Sequence, residues 1–399
     1  MTTTLPADPI NPVDDRKFTR PLITALQKQI DLLAETIPGN DAYQVASAWV
    51  YTTLLVAWCE DHSLIETRLR ADARDRRKGH LDSGQTMLGW LGWSAAALTV
   101  HPSTACLLDP RYNPITQGAP SEKAARALVD WWSDEAPDLA YPAGKGPASI
   151  TGWLAGDLLQ MVTDERRLAH ALCQTPWWVA DFLMELTLVP AIETFHDQPL
   201  RVIDPACGTG HLLVWALIGL YRWYRGDAPG HPALAPVPAI KRALAGLHGV
   251  ELDPLTAAVA RLRLTVTAGA LLAGDRALPA PLRLHQIPAG LRPRVAVGNA
   301  LLAGLDDPCP PGTILDDTAD YPGILTRGTY HAVVANPPYI TVKDPAVSKA
   351  IRSAYFTARG QYSLSAPFAQ LTFDLAIRGA LDGDAPRPPE QLDLFGALL

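Results

Sequence analysis

The sequence predicts an α/β domain built on a mostly parallel sheet, with an all-helical domain before it. Three observations carry that reading. Four short apolar runs, 200–204 (LRVID), 247–252 (LHGVEL), 295–299 (VAVGN) and 331–336 (HAVVAN), each lead into Asp, Pro, Gly or Asn. Helical stretches at 210–224 and 254–273 separate the first runs. The runs do not alternate polar with apolar, which is the pattern of parallel strands buried on both faces. Before residue 150 the apolar spacing is helical instead: Leu22, Ile23, Leu26, Ile30 and Leu33 share one face. The segments 41–60 and 121–135 read as further helices, and 84–108 is apolar and rich in Trp. The expected division is a helical domain over 1–150, the α/β domain over 151–380 and a Pro-rich tail over 381–399.

Bulk properties narrow the classes. Apolar residues make up 48% of 399 and charged residues 19%, enough to bury sizeable cores. The net charge of -7 means that any grip on nucleic acid must come from a local patch or another chain. The stretch Arg68–Lys78 is basic, but Asp72 and Asp75 interrupt it, as on a solvated helix face. Five scattered cysteines form no C-x-x-C pair, so neither a zinc site nor a disulfide framework is expected. No metal site is expected. No signal peptide and no run of 18 apolar residues is seen, so a cytoplasmic protein without a membrane span is expected.

The chemistry sits where strands end. Asp204-Pro205-Ala206-Cys207-Gly208-Thr209-Gly210 follows the first strand and opens a helix. Glycines there let backbone approach a ligand closely, and free N–H groups at a helix start favour a carboxylate. Glu251, with Leu252 beside it, ends the second strand, and a carboxylate there can accept both hydroxyls of a ribose. Asp253 is the second choice. The 47 residues between Asp204 and Glu251 exceed the usual spacing of about 20, and a Pro/Gly-rich insertion at 226–238 with a short helix at 239–246 accounts for the excess. Asn299 and Ala300 end the third strand, where the Asn side-chain oxygen can accept a hydrogen bond or simply close a turn.

The most informative run is Asn336-Pro337-Pro338-Tyr339, after the fourth strand. The Asn336 side-chain oxygen and the Pro337 carbonyl can accept two N–H bonds from an exocyclic amine. The two prolines fix the backbone, so the acceptors are preorganised. Tyr339 can stack on a base turned out of a duplex. Earlier in the chain, Thr175 and Pro176 read as the cap and first turn of a helix.

Taken in this order, the motifs resemble those of gamma-type adenine-N6 DNA methyltransferases. The run at 204–210 is similar to the first motif of class I S-adenosylmethionine-dependent methyltransferases, in the form typical of DNA adenine methylases. The resemblance spans about 170–375. With the helical domain and Gly360-Gln361-Tyr362-Ser363-Leu364, it looks most like the large methyltransferase of phage-growth-limitation or BREX-type phage defence systems. It implies a Rossmann-like sheet, S-adenosyl-L-methionine as cofactor, double-stranded DNA with the target adenine flipped out as substrate, and a restriction-modification or antiviral role. It implies that Thr175 and Pro176 line the methionine end of the cofactor, that Asp204 to Gly210, Glu251, Leu252, Asn299 and Ala300 bind the rest, and that residues 336–339 are catalytic.

Such methylases continue past this motif with three more strands and a target-recognition domain, whereas about 60 residues follow Tyr339 here. The expectation is a helix ending near Ala380 and an exposed fourth strand, completed by further chain or by a partner chain. In the tail, Gln391-Leu392-Asp393-Leu394-Phe395 resembles the peptide that docks bacterial proteins on the replication sliding clamp. The pairs Trp131-Trp132 and Trp177-Trp178 are expected in the core or an interface. Two alternatives stay open: methylation of RNA bases or of protein glutamine, and a non-catalytic or partner-dependent cofactor-binding scaffold.

Overall fold

A computed structural model describes residues 16–140, 153–162, 175, 177–226, 233–303 and 315–377. Pro176, much of the insertion before residue 239, and the tail with its 391–395 peptide lie outside the described residues.

Apolar spacing sets the first helices. In α1 (Arg16–Ala34) Leu22, Leu26, Ile30 and Leu33 are buried on one face, against α2 (Ala42–Asp61), which is buried along almost its whole length. The helices α3 (Arg74–Asp82), α4 (Met87–Ala96) and α5 (Glu122–Asp134) follow. Side-chain caps start two of them: the Thr86 hydroxyl accepts from Gly89 N–H, and Ser121 accepts from Ala124 N–H. Next come α6 (Trp153–Val162), α7 (Trp177–Leu186) and α8 (Leu188–Thr194).

The basic stretch is largely paired within the chain, mostly on a solvated face as expected. Arg70 holds Asp61 at 2.9 Å, Arg76 meets Glu66 at 3.4 Å, and Arg74 pairs with Asp134. The Arg68 guanidinium stacks 3.6 Å from the Trp93 ring centre. Trp131 and Trp132 are core residues, as expected. Trp178 is 61% exposed, on the outward face of α7, and so is not a core residue of this chain.

The four expected strands are present: β1 (Val202–Asp204), β2 (Leu247–Glu251), β3 (Arg294–Val297) and β4 (Ala332–Val333). All pair in parallel, in the order β3-β2-β1-β4, with Val202 opposite both Leu247 and Ala332. Parallel neighbours need crossovers. These are α9 (His211–Arg225) with α10 (Pro236–Gly246), then α11 (Pro254–Gly274). By length and apolarity α11 could cross a membrane, but 94% of its apolar window is buried within this fold.

Two cores sandwich the sheet. Val202, Leu247, Val295 and Val297 join α9, α10, α11 and the N-terminal helices in one continuous core. Ile203 and Val250 face a second core with α12 (Pro345–Ala354) and α13 (Ser365–Leu375). Burial on both faces explains the unbroken apolar runs.

One expectation at the C-terminal side is corrected. The helix expected to end near Ala380 ends at Leu375. As expected, β4 is an edge strand of the described sheet; just before it, Tyr330 bridges Ala376 in parallel, and Ile377 N–H donates to the Tyr330 carbonyl at 2.9 Å. This pairing lies beside the β4 edge, whose open N–H and C=O groups would invite a further strand.

Candidate active site

The strand order reverses between β1 and β4: successive strands β1, β2, β3 run one way, and β4 returns to the other side of β1. In open parallel sheets a crevice forms outside the carboxyl ends of the strands at such a switch point. Here a cavity of 810 Å³ opens there, within the size range of cofactor pockets.

The loop after β1 forms its floor. Asp204 Oδ1 accepts from Ala206 N–H at 3.0 Å, and Cys207 N–H donates to the Val250 carbonyl at 3.0 Å, tying the loop to β2. Gly208 and Gly210 have φ of 55° and 85°, the left-handed region that glycine alone adopts without cost. Gly210 also comes so close to α11 that a Cβ would stand 3.3 Å from Ala260 Cβ. Gly210 therefore shapes the turn and opens α9, and is not among the residues that line the cavity.

At the end of β2, Glu251 and Asp253 separate in role. Glu251 Oε2 accepts from Gly208 N–H and Oε1 from Asp253 N–H, both at 2.9 Å, and the side chain lines the cavity. Asp253 instead caps α11, accepting from Thr256 N–H at 2.8 Å and from its hydroxyl at 2.7 Å. Burial pushes the Glu251 carboxyl up to about 7, and burial with the nearby Glu251 charge pushes Asp204 up to about 8. Neither acid forms an ion pair among the described residues. Two acids held this way make the cavity receptive to a cation. Burial also pushes the Cys207 thiol far up, so it is an inert wall.

Asn299 and Ala300 line the cavity from β3, and Asn299 Oδ1 accepts from Leu301 N–H at 3.1 Å, closing a turn. Thr175, Pro205, Ala206 and Leu252 line it as well. After β4 come Asn336, Pro338 and Tyr339, while the Pro337 side chain does not line the cavity. The Asn336 amide Nδ2 donates to the Thr175 hydroxyl oxygen at 3.2 Å, and the Tyr339 hydroxyl donates to Asn336 Oδ1 at 3.2 Å. Tyr339 is 65% exposed at the mouth.

No protein-family model matches the chain. It is 34% identical over 373 residues to the adenine-specific methyltransferase PglX of Streptomyces coelicolor, an alignment covering 85% of this chain. The chain is a relative of PglX. It spans 30% of the length of PglX. Similar solved structures include the type IIL restriction-modification enzyme MmeI in complex with DNA, at 16% identity and a TM-score of 0.47, covering 90% of this chain and 48% of that one. Another is the type IIG restriction endonuclease BpuSI, at 15% identity and a TM-score of 0.40, covering 91% and 33%.

In this PglX relative the cavity also has walls that sequence reading missed. Ile340 to Asp344 continue from the Pro-Pro turn, and Val347, Ile351, Leu364 and Phe368 close one side from α12, α13 and the loop between them. No local motif marks these four apolar residues; only the packing of the second core brings them to the crevice. His211 was missed too. Its Nε2 meets Asp157 of α6 at 2.9 Å, and Arg263, fully buried, donates to the Thr209 carbonyl at 2.6 Å. Burial and the Arg263 charge lower the His211 pKa. The relative of PglX thus braces its glycine loop with side chains from α6 and α11.

Proposed function

We propose that this chain is the cofactor-binding and catalytic part of a class I, Rossmann-like DNA methyltransferase, which moves a methyl group from S-adenosylmethionine to N6 of adenine in duplex DNA. A phage-defence or restriction-modification setting follows from the kinship with PglX. One observation carries the reading: the Asp204 loop, Glu251 and the Asn336–Tyr339 run open into the same cavity.

The cavity fits the cofactor on its own chemistry. Asp204 and Glu251 are buried acids without a cationic partner among the described residues, and S-adenosylmethionine carries a sulfonium and an ammonium. When bound, it supplies an electrophilic methyl group. Glu251 keeps lone pairs for two ribose hydroxyls while its present bonds hold it to the Gly208 loop. Asp204 faces the ammonium end, with Thr175 at the methionine side. The Asn299–Ala300 turn and Leu252 frame the adenine ring of the cofactor.

The substrate side rests on Asn336. An exocyclic adenine amine is a poor nucleophile because its lone pair is delocalised into the ring. Acceptors at its two N–H bonds localise that pair and aim it. Thr175 fixes which way the Asn336 amide points: with Nδ2 committed to the hydroxyl, Oδ1 is the atom left to accept from a base. The Pro337 carbonyl is the second acceptor. Tyr339, exposed at the mouth, stacks on the flipped base and gives up its bond to Oδ1. The test is transfer of a labelled methyl group to a duplex containing adenine. Label at adenine N6 that Asn336→Ala abolishes supports the proposal. Label on cytosine, RNA or protein instead would rule it out.

A further inference from the structure

A second cavity lies at the other end of the sheet. It measures 640 Å³ and sits at the amino ends of β2 and β3, between the end of α10, the middle of α11 and the segment Pro102–Leu108 of the helical region. Four cations line it: Lys241, Arg261, Arg292 and Arg294. Asp320 is the one acid on its wall among the described residues.

The positive charge there is mostly uncompensated. Arg261 is neutralised by Asp317 at 2.8 Å, both buried. Lys241, Arg292 and Arg294 make no ion pair among the described residues. Arg294 donates once, to the Pro322 carbonyl at 2.6 Å, while its buried Nε has no hydrogen-bond partner. A buried donor left this way is costly unless something accepts from it. The surrounding histidines answer to the same field. Burial, then Arg294 and Arg201, drive the His248 pKa down to about 3, and burial and Arg292 lower His101. In a chain of net charge -7, whose other arginine-rich stretch is tied up in ion pairs, this is a local reversal of sign.

We propose that this cavity binds a small phosphorylated ligand of the polyphosphate class, with Lys241, Arg292 and Arg294 holding the phosphate oxygens. Cations converging on a pocket of this size suit a compact multivalent anion, whereas a duplex backbone lies along an open surface. The site is separate from the crevice at the strand carboxyl ends, so it stands whether or not that crevice holds S-adenosylmethionine.

The experiment is calorimetric titration of the full chain with inorganic pyrophosphate, with ATP and with duplex DNA. A double variant, Lys241→Ala with Arg292→Ala, removes two exposed cations, and its melting temperature checks folding. Expected are pyrophosphate and ATP binding by the wild type and binding about tenfold weaker or worse in the variant, with S-adenosylmethionine titrations unchanged. Arg294→Ala should weaken the same ligands. Failure of folded wild type to bind either phosphate ligand overturns the proposal. So does phosphate binding that survives the double variant. Loss confined to duplex DNA assigns these cations to a nucleic-acid track and overturns it equally.

Discussion

The side-chain amide of Asn336 donates to the hydroxyl of Thr175 across 161 residues of sequence, at 3.2 Å. This bond joins the helix entry before the glycine loop to the turn after β4, and it sets the orientation of the acceptor on which the proposed chemistry depends. Thr175→Val keeps the shape and removes the hydroxyl. Turnover on an adenine-containing duplex should fall about tenfold, the worth of one such bond, with a smaller loss of cofactor affinity. Thr175→Ser should restore most of the rate. An equal loss of cofactor binding would mean that Thr175 acts through the cofactor alone.

Cofactor binding should strengthen as pH rises from 6 to 8.5. Asp204 and Glu251, pushed up to about 8 and about 7, are substantially protonated at neutral pH in the free cavity, and a cationic ligand favours their ionised forms. The same shifts act on stability with the opposite sign. The folded state favours the protonated acids, so their contribution is fully present below the unfolded values near 4 and is lost as pH rises through about 7 to 8. The melting temperature of the ligand-free chain should therefore fall between pH 5 and 8, less steeply in Asp204→Asn. A flat affinity profile would place the ligand's charge away from these acids.

Gly249, in the middle of β2, has no room for a side chain. A Cβ would stand 2.6 Å from Leu213 Cδ1 and 3.1 Å from Cys207 Sγ. Gly249→Ala should destabilise the fold by about 1–3 kcal/mol, the usual range for overpacking. Because Cys207 belongs to the glycine loop, it should weaken cofactor binding beyond what the stability loss explains. Thermal melts and titrations of the same samples separate the two effects.

Lys343 is exposed on the rim of the cavity, beside Tyr339 and ahead of α12. If duplex DNA lies across this mouth, Lys343→Ala should weaken binding of all sequences alike. It should reduce the salt dependence by about one phosphate contact. An unchanged salt slope would put the duplex elsewhere.

Much of this site was legible in the sequence because its parts are local. A strand that ends in Asp-Pro-Ala-Cys-Gly, or in Asn-Pro-Pro-Tyr, announces both the turn and the chemistry within a few residues, and four such turns in order define one crevice. Glu251 and Asp253 were harder to separate, since either can end a strand; the cap on Thr256 decides between them only in three dimensions. What stayed hidden depends on tertiary packing. Ile351 reads as one apolar residue of an amphipathic helix, and nothing nearby tells that the face it occupies walls the crevice. The pairing of His211 with Asp157 spans 54 residues and two elements. The outward face of Trp178 runs against the burial usual for large apolar side chains, and only the fold separates the core pair from the exposed residue.

The most direct measurement is calorimetry of S-adenosylmethionine binding to the wild type, Glu251→Ala and Asn336→Ala. The expected result is binding by the wild type, loss in Glu251→Ala and retention in Asn336→Ala, which separates the cofactor half of the cavity from its substrate half. Absence of binding by well-folded wild type, or full affinity in Glu251→Ala, would contradict the assignment of this crevice to the cofactor.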